Sequence, residues 1–278
     1  MTSTVIACCQ LAPVLGDPAA NRELTVTAVS EAARREASVV VLPELMSSGY
    51  VFESRAEAAA CAERADGETV GLWAQLAANH RIVIVGGFCE AVNDDVYNSA
   101  ALVDRSGLRS VYRKAHLWDN ERRWFSVGCA EPPVVETEFG RIGMMICYDL
   151  EFPEWVRLPA LDGAQLLCAP TNWPDSPRPS GERPAEVVRV QADAAVNRMF
   201  IAACDRAGEE RGVPWVGGSV IVDADGWPLA AAFRAGGAVS DTIYAACELR
   251  DALNKTIGAS NNVQTDRRPE LYQRICKG

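Results

Sequence analysis

Lysine and histidine are scarce in this 278-residue chain. Of 27 basic residues only Lys114, Lys255 and Lys277 are lysine, and the only histidines are His80 and His116. A metal centre built on several imidazoles is therefore excluded, and imidazole-based catalysis has two candidates. The ten cysteines form no C-x-x-C pair, which argues against a zinc ribbon or a thioredoxin-type site. Several lie in apolar runs, where Cys acts as a small hydrophobe. Reduced thiols in a cytoplasmic protein are the expectation. Positive charge is also lacking: the net charge of -10 speaks against a nucleic-acid surface. No apolar run reaches the ~18 residues of a membrane-spanning helix. MTSTVIACCQ has no basic start and no long apolar stretch, so no signal peptide is expected. No Walker-type phosphate loop, internal repeat or low-complexity tract occurs.

What is present is apolar material, 49% of residues, in strand-like runs separated by helix-like stretches. STVIACCQL, SVVVLPE, RIVIVGGFCE, VYNSAALVD, RSVYRKAHL, AQLLCAP, FIAACDR and AVSDTIYAACEL read as strands. PPVVETEFGRIGMMICYD reads as two strands about Phe139-Gly140, and GGSVIVDADGWPLAAAF as a strand-turn-strand about Ala224-Asp225-Gly226. Arg105-Ser106-Gly107 reads as a hairpin turn. Asp17-Pro18 makes a good helix start for the segment that follows. ETVGLWAQLAANH, PEWVRLPALDG and AEVVRVQADAAVNRM read as further helices, and the proline-rich stretch 173–184 as loop. Strands interleaved with helices in one continuous run indicate a single layered α/β domain.

Three reactive groups stand at the ends of strands read as buried, where α/β sheets present ligands. Glu44 ends VVVLPE; it is either a poorly solvated base or a loop cap. Lys114 lies in VYRKAHLWD; it is either an oxyanion stabiliser or a solvated strand end. Cys147 follows RIGMMI and precedes a Pro-started helix; it is either an exposed nucleophile on a strand-turn-helix passage or a structural thiol.

Taken together and in this order, LPEL, YRKAHL and ICYDLEFPE resemble the Glu-Lys-Cys triad of the nitrilase superfamily of carbon–nitrogen hydrolases. The resemblance spans nearly the whole chain and includes YNSAALVD, FSVG, DGAQLLCAPTNWP and GGSVIVDADGWPL. In the amidase-like branch a second glutamate precedes an aromatic pair and a glycine; Glu121 of ERRWFSVG matches it, or else it is a surface partner of Arg122 or Arg123.

The resemblance implies a four-layer α-β-β-α sandwich, with residues 1–250 as the hydrolase domain and 251–278 as its C-terminal extension. It implies catalysis by Glu44, Lys114, Cys147 and Glu121 through a thioester, with no metal or organic cofactor. Tyr148, Asn172 and Trp173 would bind a small amide substrate, and Glu151 would brace the turn rather than touch substrate. A homodimer or higher homo-oligomer is implied, with the helix carrying Trp155 at the interface, and no nucleic-acid or membrane partner.

Cys147-Tyr148 departs from the Cys-Trp pair usual in true nitrilases. The expected reaction is hydrolysis of a terminal carboxamide of a small aliphatic or ω-amino substrate to a carboxylic acid and ammonia. An N-carbamoyl hydrolase, with Arg178 or Arg183 holding a carboxylate, and a nitrilase are the alternatives on the same triad. A papain-like hydrolase using His80 or His116, and a non-catalytic binding protein, are more distant ones.

Overall fold

A computed structural model describes residues 3–232 and 239–275. Cys276 and Lys277 lie outside the described residues. Two six-stranded sheets form the centre. The chain opens with β1 (Thr4–Gln10), α1 (Pro18–Arg34) and β2 (Val39–Val41). It continues through α2 (Arg55–Ala60), α3 (Glu68–His80), β3 (Val83–Val92), β4 (Asp95–Asp104) and β5 (Gly107–Arg113). After α4 (Glu121–Trp124) come β6 (Val134–Thr137), β7 (Gly140–Met144), α5 (Pro153–Leu161), β8 (Leu166–Pro170), α6 (Ala185–Asn197) and β9 (Phe200–Cys204). The short strands β10 (Glu209–Glu210) and β11 (Val213–Pro214) pair with each other before β12 (Val220–Val222), β13 (Pro228–Ala231) and β14 (Asp241–Cys247).

The first sheet has the order β14-β1-β2-β3-β4-β5, the second β13-β12-β9-β8-β7-β6. Strand periodicity explains how they stack. Side chains alternate between the two faces of a strand, and both faces here are apolar. Ile6, Cys8, Val39 and Val41 face the second sheet, packing in one core with Met144, Leu166 and Ile201. Ala7, Cys9 and Val40 face the other way, onto Val29, Ala32, Val70 and Trp73 of α1 and α3. Val156 of α5 and Val190 and Ala194 of α6 cover the second sheet. The result is the expected α-β-β-α sandwich.

Local chemistry matches the expected starts and turns. Asp17 caps α1 by accepting from the Ala20 N–H at 3.0 Å. Asp104 pairs with Gly107 across the expected hairpin, and Gly107 has φ +105. The segment 173–184 is irregular, as its prolines require.

Two expectations change. The strand through Lys114 ends at Arg113, and that before Cys147 ends at Met144. In both cases the chain leaves the sheet where site residues begin. Nine described cysteines are free thiols, of which only Cys129 is exposed. Among the described residues no helix is long and apolar enough to cross a membrane.

Candidate active site

The site lies at the strand ends of both sheets. Glu44 follows β2, Lys114 follows β5, Cys147 follows β7, and Asn172 follows β8. Two close approaches make this convergence possible. A Cβ on Gly87 would come within 2.4 Å of the Leu45 nitrogen and 2.6 Å of the Glu44 Cα. A Cβ on Gly128 would lie 2.0 Å from the Arg113 carbonyl oxygen. Gly128 also donates its N–H to the Lys114 carbonyl at 2.9 Å. Neither position admits a side chain, which accounts for the glycine of FSVG.

Lys114 is fully buried between two carboxylates. Its Nζ donates to Glu44 Oε1 at 2.6 Å and to Glu121 Oε1 at 2.8 Å. Burial alone would favour a neutral amine, but Glu121 and Glu44 more than offset it and hold the ammonium charged. The second oxygen of Glu121 accepts the Trp118 N–H at 2.8 Å, which fixes the turn before α4. Glu121 is therefore a buried site residue, not a surface partner of Arg122 or Arg123.

Glu44 is also fully buried, and its carboxyl is pushed up to about 7 by burial, against the pull of Lys114. Its Oε2 is buried without a partner. Such a carboxyl can take and return a proton near neutral pH.

Cys147 sits at φ +45, a left-handed conformation that is sparsely populated outside glycine. It opens a single 3₁₀ turn, Cys147–Glu151, that leads into Pro153 of α5. This is the sharp strand-to-helix passage that projects a nucleophile. The thiol donates to the Asn172 carbonyl at 3.8 Å. Burial holds it well above the ordinary thiol value, and Glu44 adds to this while Lys114 opposes it. The resting group is thus a thiol flanked by the Glu44 carboxyl and the Lys114 ammonium.

Supporting contacts tie these segments together. Asp149 joins the Lys114 loop to the Cys147 turn. One of its oxygens accepts the Tyr112 O–H at 2.8 Å and the Ile146 N–H at 3.0 Å. The other accepts the His116 N–H at 3.1 Å and lies 2.7 Å from His116 Nδ1. His116 stacks on Phe152 with centroids 3.9 Å apart, so it braces the loop. Asp205 accepts the N–H groups of Trp173, Arg206 and Gly218, all at 2.9 Å, and sets the turn after β8. His80 lies on the last turn of α3.

A cavity of about 230 Å³ opens on Cys147. Trp118, Tyr148 and Trp173 wall it, and Asn172 lies at its edge. Asn172 also donates through Nδ2 to the Glu44 carbonyl at 2.9 Å, so it belongs to the frame as well as to the pocket. Glu151 lines this cavity and is paired at 2.9 Å with Arg189 of α6. Trp155 does not present its ring nitrogen outward; it donates through Nε1 to the Tyr112 hydroxyl at 3.0 Å.

Sequence reasoning missed Asn98. Its Nδ2 donates to Glu44 Oε1 at 2.7 Å and to Glu121 Oε1 at 3.2 Å, bridging both carboxylates. The available signal was an amide within the otherwise apolar run of β4, where a buried polar group needs a partner. Trp118 was also missed. Among the described residues, no group of three or more His, Cys, Asp or Glu side chains could hold a metal ion.

Two facing α/β layers with a buried carboxylate, ammonium and thiol at their shared edge define an enzyme site. A model of the carbon–nitrogen hydrolase family matches residues 5–252, and the chain belongs to that family. It is similar to a nitrilase of Pyrococcus abyssi, 34% identical over 97% of this chain and 99% of the relative. A 2-oxoglutaramate amidase of Bacillus subtilis is 31% identical over 96% of this chain and 98% of its own length. Among solved structures, an amidase of Nesterenkonia from the nitrilase superfamily superposes with a TM-score of 0.78 at 26% identity, over 99% of this chain and 97% of that one. These relatives mark the chain as a carbon–nitrogen hydrolase of the amidase type.

Proposed function

We propose that this enzyme hydrolyses the terminal carboxamide of a small substrate to a carboxylic acid and ammonia through a thioester on Cys147. The observation that carries this reading is the buried ammonium of Lys114 held by Glu44 and Glu121 in the field of the Cys147 thiol.

Glu44 takes the thiol proton as sulfur attacks the amide carbon, and the carbonyl oxygen becomes an oxyanion. Lys114, with the Tyr148 backbone N–H, stabilises that charge in a buried site. Glu44 then gives its proton to the departing nitrogen, which leaves as ammonia and forms the thioester. Glu44 next deprotonates a water, which attacks the thioester. The acid leaves and the thiol regains its proton. Glu121 keeps Lys114 charged and aligned throughout. No step calls for a metal or an organic cofactor.

Related chemistry supports the assignment. A solved form of the Nesterenkonia amidase carries acrylamide added to its active-site cysteine, and another holds butyramide. The cavity on Cys147 lies below the ~300 Å³ typical of drug-sized ligands, which suits a short acyl chain.

The test is ammonia release from short aliphatic amides, an N-carbamoyl amino acid and a nitrile, with wild type and Cys147→Ala side by side. Release from amides, lost in the variant, is the expected result. Preferential release from the ureide or the nitrile would overturn the substrate assignment while retaining the triad.

A further inference from the structure

The reacting groups are approached from two sides. The cavity on Cys147 is one. A second, of about 320 Å³, adjoins it across Trp118 and Pro174, which line both. Cys147, Tyr148 and Asn172 line only the first; Tyr50 and Glu121 line only the second. Glu121 is tied to Glu44 through Lys114 and Asn98, so the second cavity opens on the carboxylate side of the centre. Tyr50 shows how near it comes. Burial, and then the charges of Glu121, Glu44 and Cys147, push its hydroxyl well above the ordinary phenol value.

The second cavity has a fixed aromatic wall. Tyr50 meets Trp215 edge to face, with centroids 5.4 Å apart, and Phe52, Trp118 and Trp124 continue the lining. Behind them lies the buried ion pair of Arg206 and Glu210, at 2.8 Å. Arg206 lays its guanidinium on the Trp215 ring at 4.7 Å, and Glu210 accepts the Tyr50 N–H at 2.8 Å. A wall held in this way is preformed, as small-molecule pockets usually are. Release of ammonia makes no use of so much apolar space.

Direction decides what the space can hold. In the amide-hydrolysis reading, Cys147 attacks the carbonyl carbon and Glu44 meets the departing nitrogen. The acyl chain then lies in the cavity on Cys147, and the nitrogen faces the carboxylates. A substituent on that nitrogen continues into the second cavity.

We propose that the enzyme also hydrolyses N-substituted amides, with an apolar, preferably aromatic, amine half seated against Tyr50, Trp118 and Trp215. The inference rests on the amide-hydrolysis reading above and adds the leaving amine to it. The sulfur–carbon bond forms and the carbon–nitrogen bond breaks. The thiol proton passes through Glu44 to the nitrogen, and a primary amine leaves in place of ammonia. Water then cleaves the thioester to the acid and restores the thiol.

Two isomers separate the two sides. N-benzylacetamide carries its ring on the nitrogen; 3-phenylpropanamide carries it on the acyl chain, at the same distance from the carbonyl carbon. Acetamide is the reference. Benzylamine and ammonia have conjugate acids of similar acidity, so the comparison reads the pocket and not the leaving group. In wild type, kcat/KM for benzylamine release is expected to be about tenfold above that for acetamide, the order gained by burying one aromatic ring. Val213 is half-buried and lines the second cavity but not the first. In Val213→Phe the ratio of N-benzylacetamide to acetamide falls about tenfold, and that of 3-phenylpropanamide to acetamide holds. Acetamide turnover without benzylamine release in wild type, an unchanged ratio in Val213→Phe, or a fall confined to 3-phenylpropanamide would overturn the proposal.

Calorimetry on Cys147→Ala separates the pocket from the reaction it rests on. If wild type turns over none of the three amides, the amide-hydrolysis reading fails. Tighter binding of N-benzylacetamide than of acetamide, lost when Val213→Phe is added, then retains the amine-side pocket. Equal binding of the two, with acetamide turnover intact, discards the pocket alone.

Discussion

The Nζ of Lys114 lies 2.6 Å from Oε1 of Glu44, although 70 positions separate them in the chain. Both side chains are fully buried, so the contact is made away from bulk water. Breaking a buried ion pair by removing one partner costs ~3–5 kcal/mol, because the other charge is left uncompensated. Lys114→Met therefore tests chemistry and folding together. It is expected to abolish turnover and to lower the denaturation midpoint, read by urea unfolding.

As the proposed base, Glu44 is expected to set the pH dependence. Its carboxyl is raised to about 7, chiefly by burial, and only the ionised form can accept a proton. For a neutral amide kcat/KM is therefore expected to rise as pH increases through about 7. Stability runs the other way. Between the ordinary value of 4.5 and about 7 the unfolded chain has released this proton while the folded chain keeps it. Folding stability from this group consequently falls as pH rises across that window. A flat kcat/KM profile between pH 5.5 and 8 would remove Glu44 from the role of base.

Glu121 contributes to that same shift, since its charge raises the Glu44 carboxyl. Glu121→Gln is expected to move the rise in kcat/KM to lower pH. It also lowers the maximum by ~10²-fold, the order of losing one group that orients an oxyanion donor. A purely structural role would lower the rate and leave the midpoint where it was.

Gly128 is a steric prediction. The 2.0 Å approach of a built Cβ to the Arg113 carbonyl leaves no room for any side chain. Gly128→Ala forces the two backbones apart, at a cost of ~1–3 kcal/mol. Because the Arg113 carbonyl precedes Lys114, activity falls along with the melting temperature, measurable by scanning calorimetry and ammonia release.

Asp149 and His116 separate two roles that proximity alone does not. Asp149→Asn puts an amide N–H₂ against groups that already donate, including Tyr112 O–H and Ile146 N–H. A mismatch of that kind costs ~1–3 kcal/mol, and kcat is expected to fall more than KM rises. His116→Gln keeps a polar side chain in the loop and is expected to retain most activity. Loss of all turnover in His116→Gln, with the fold intact by circular dichroism, would revive imidazole catalysis.

The sequence carried the layered fold because its strands are apolar on both faces and its turns have strong local chemistry. β1 and β2 have no polar face, so each had to lie between two layers. Glu44, Lys114 and Cys147 were legible because LPEL, YRKAHL and ICYDLEFPE occur together and in that order, whereas each position alone left a structural reading open. Asn98 was not, because its role depends on two carboxylates, one 54 and one 23 positions away. Glu151 was read as a brace, and the structure adds that it faces the pocket. Only the packing of α6 against the Cys147 turn decides which way that side chain points. Lys114 looked like the end of a strand because the residue pattern of YRKAHL does not record that the backbone turns at Arg113.

The order of the first sheet has a consequence in time. Its second strand in space, β1, is made at the start of synthesis, while its neighbour β14 spans Asp241–Cys247. At roughly 10 residues per second, on the order of 20 s separates them on the ribosome. Until then the outer side of Thr4–Gln10 has no partner, and the nascent chain offers an apolar open edge to whatever is nearby. The Glu44 and Lys114 half of the candidate site, anchored on β2 and β5, therefore waits for nearly the last strand before its own sheet is complete.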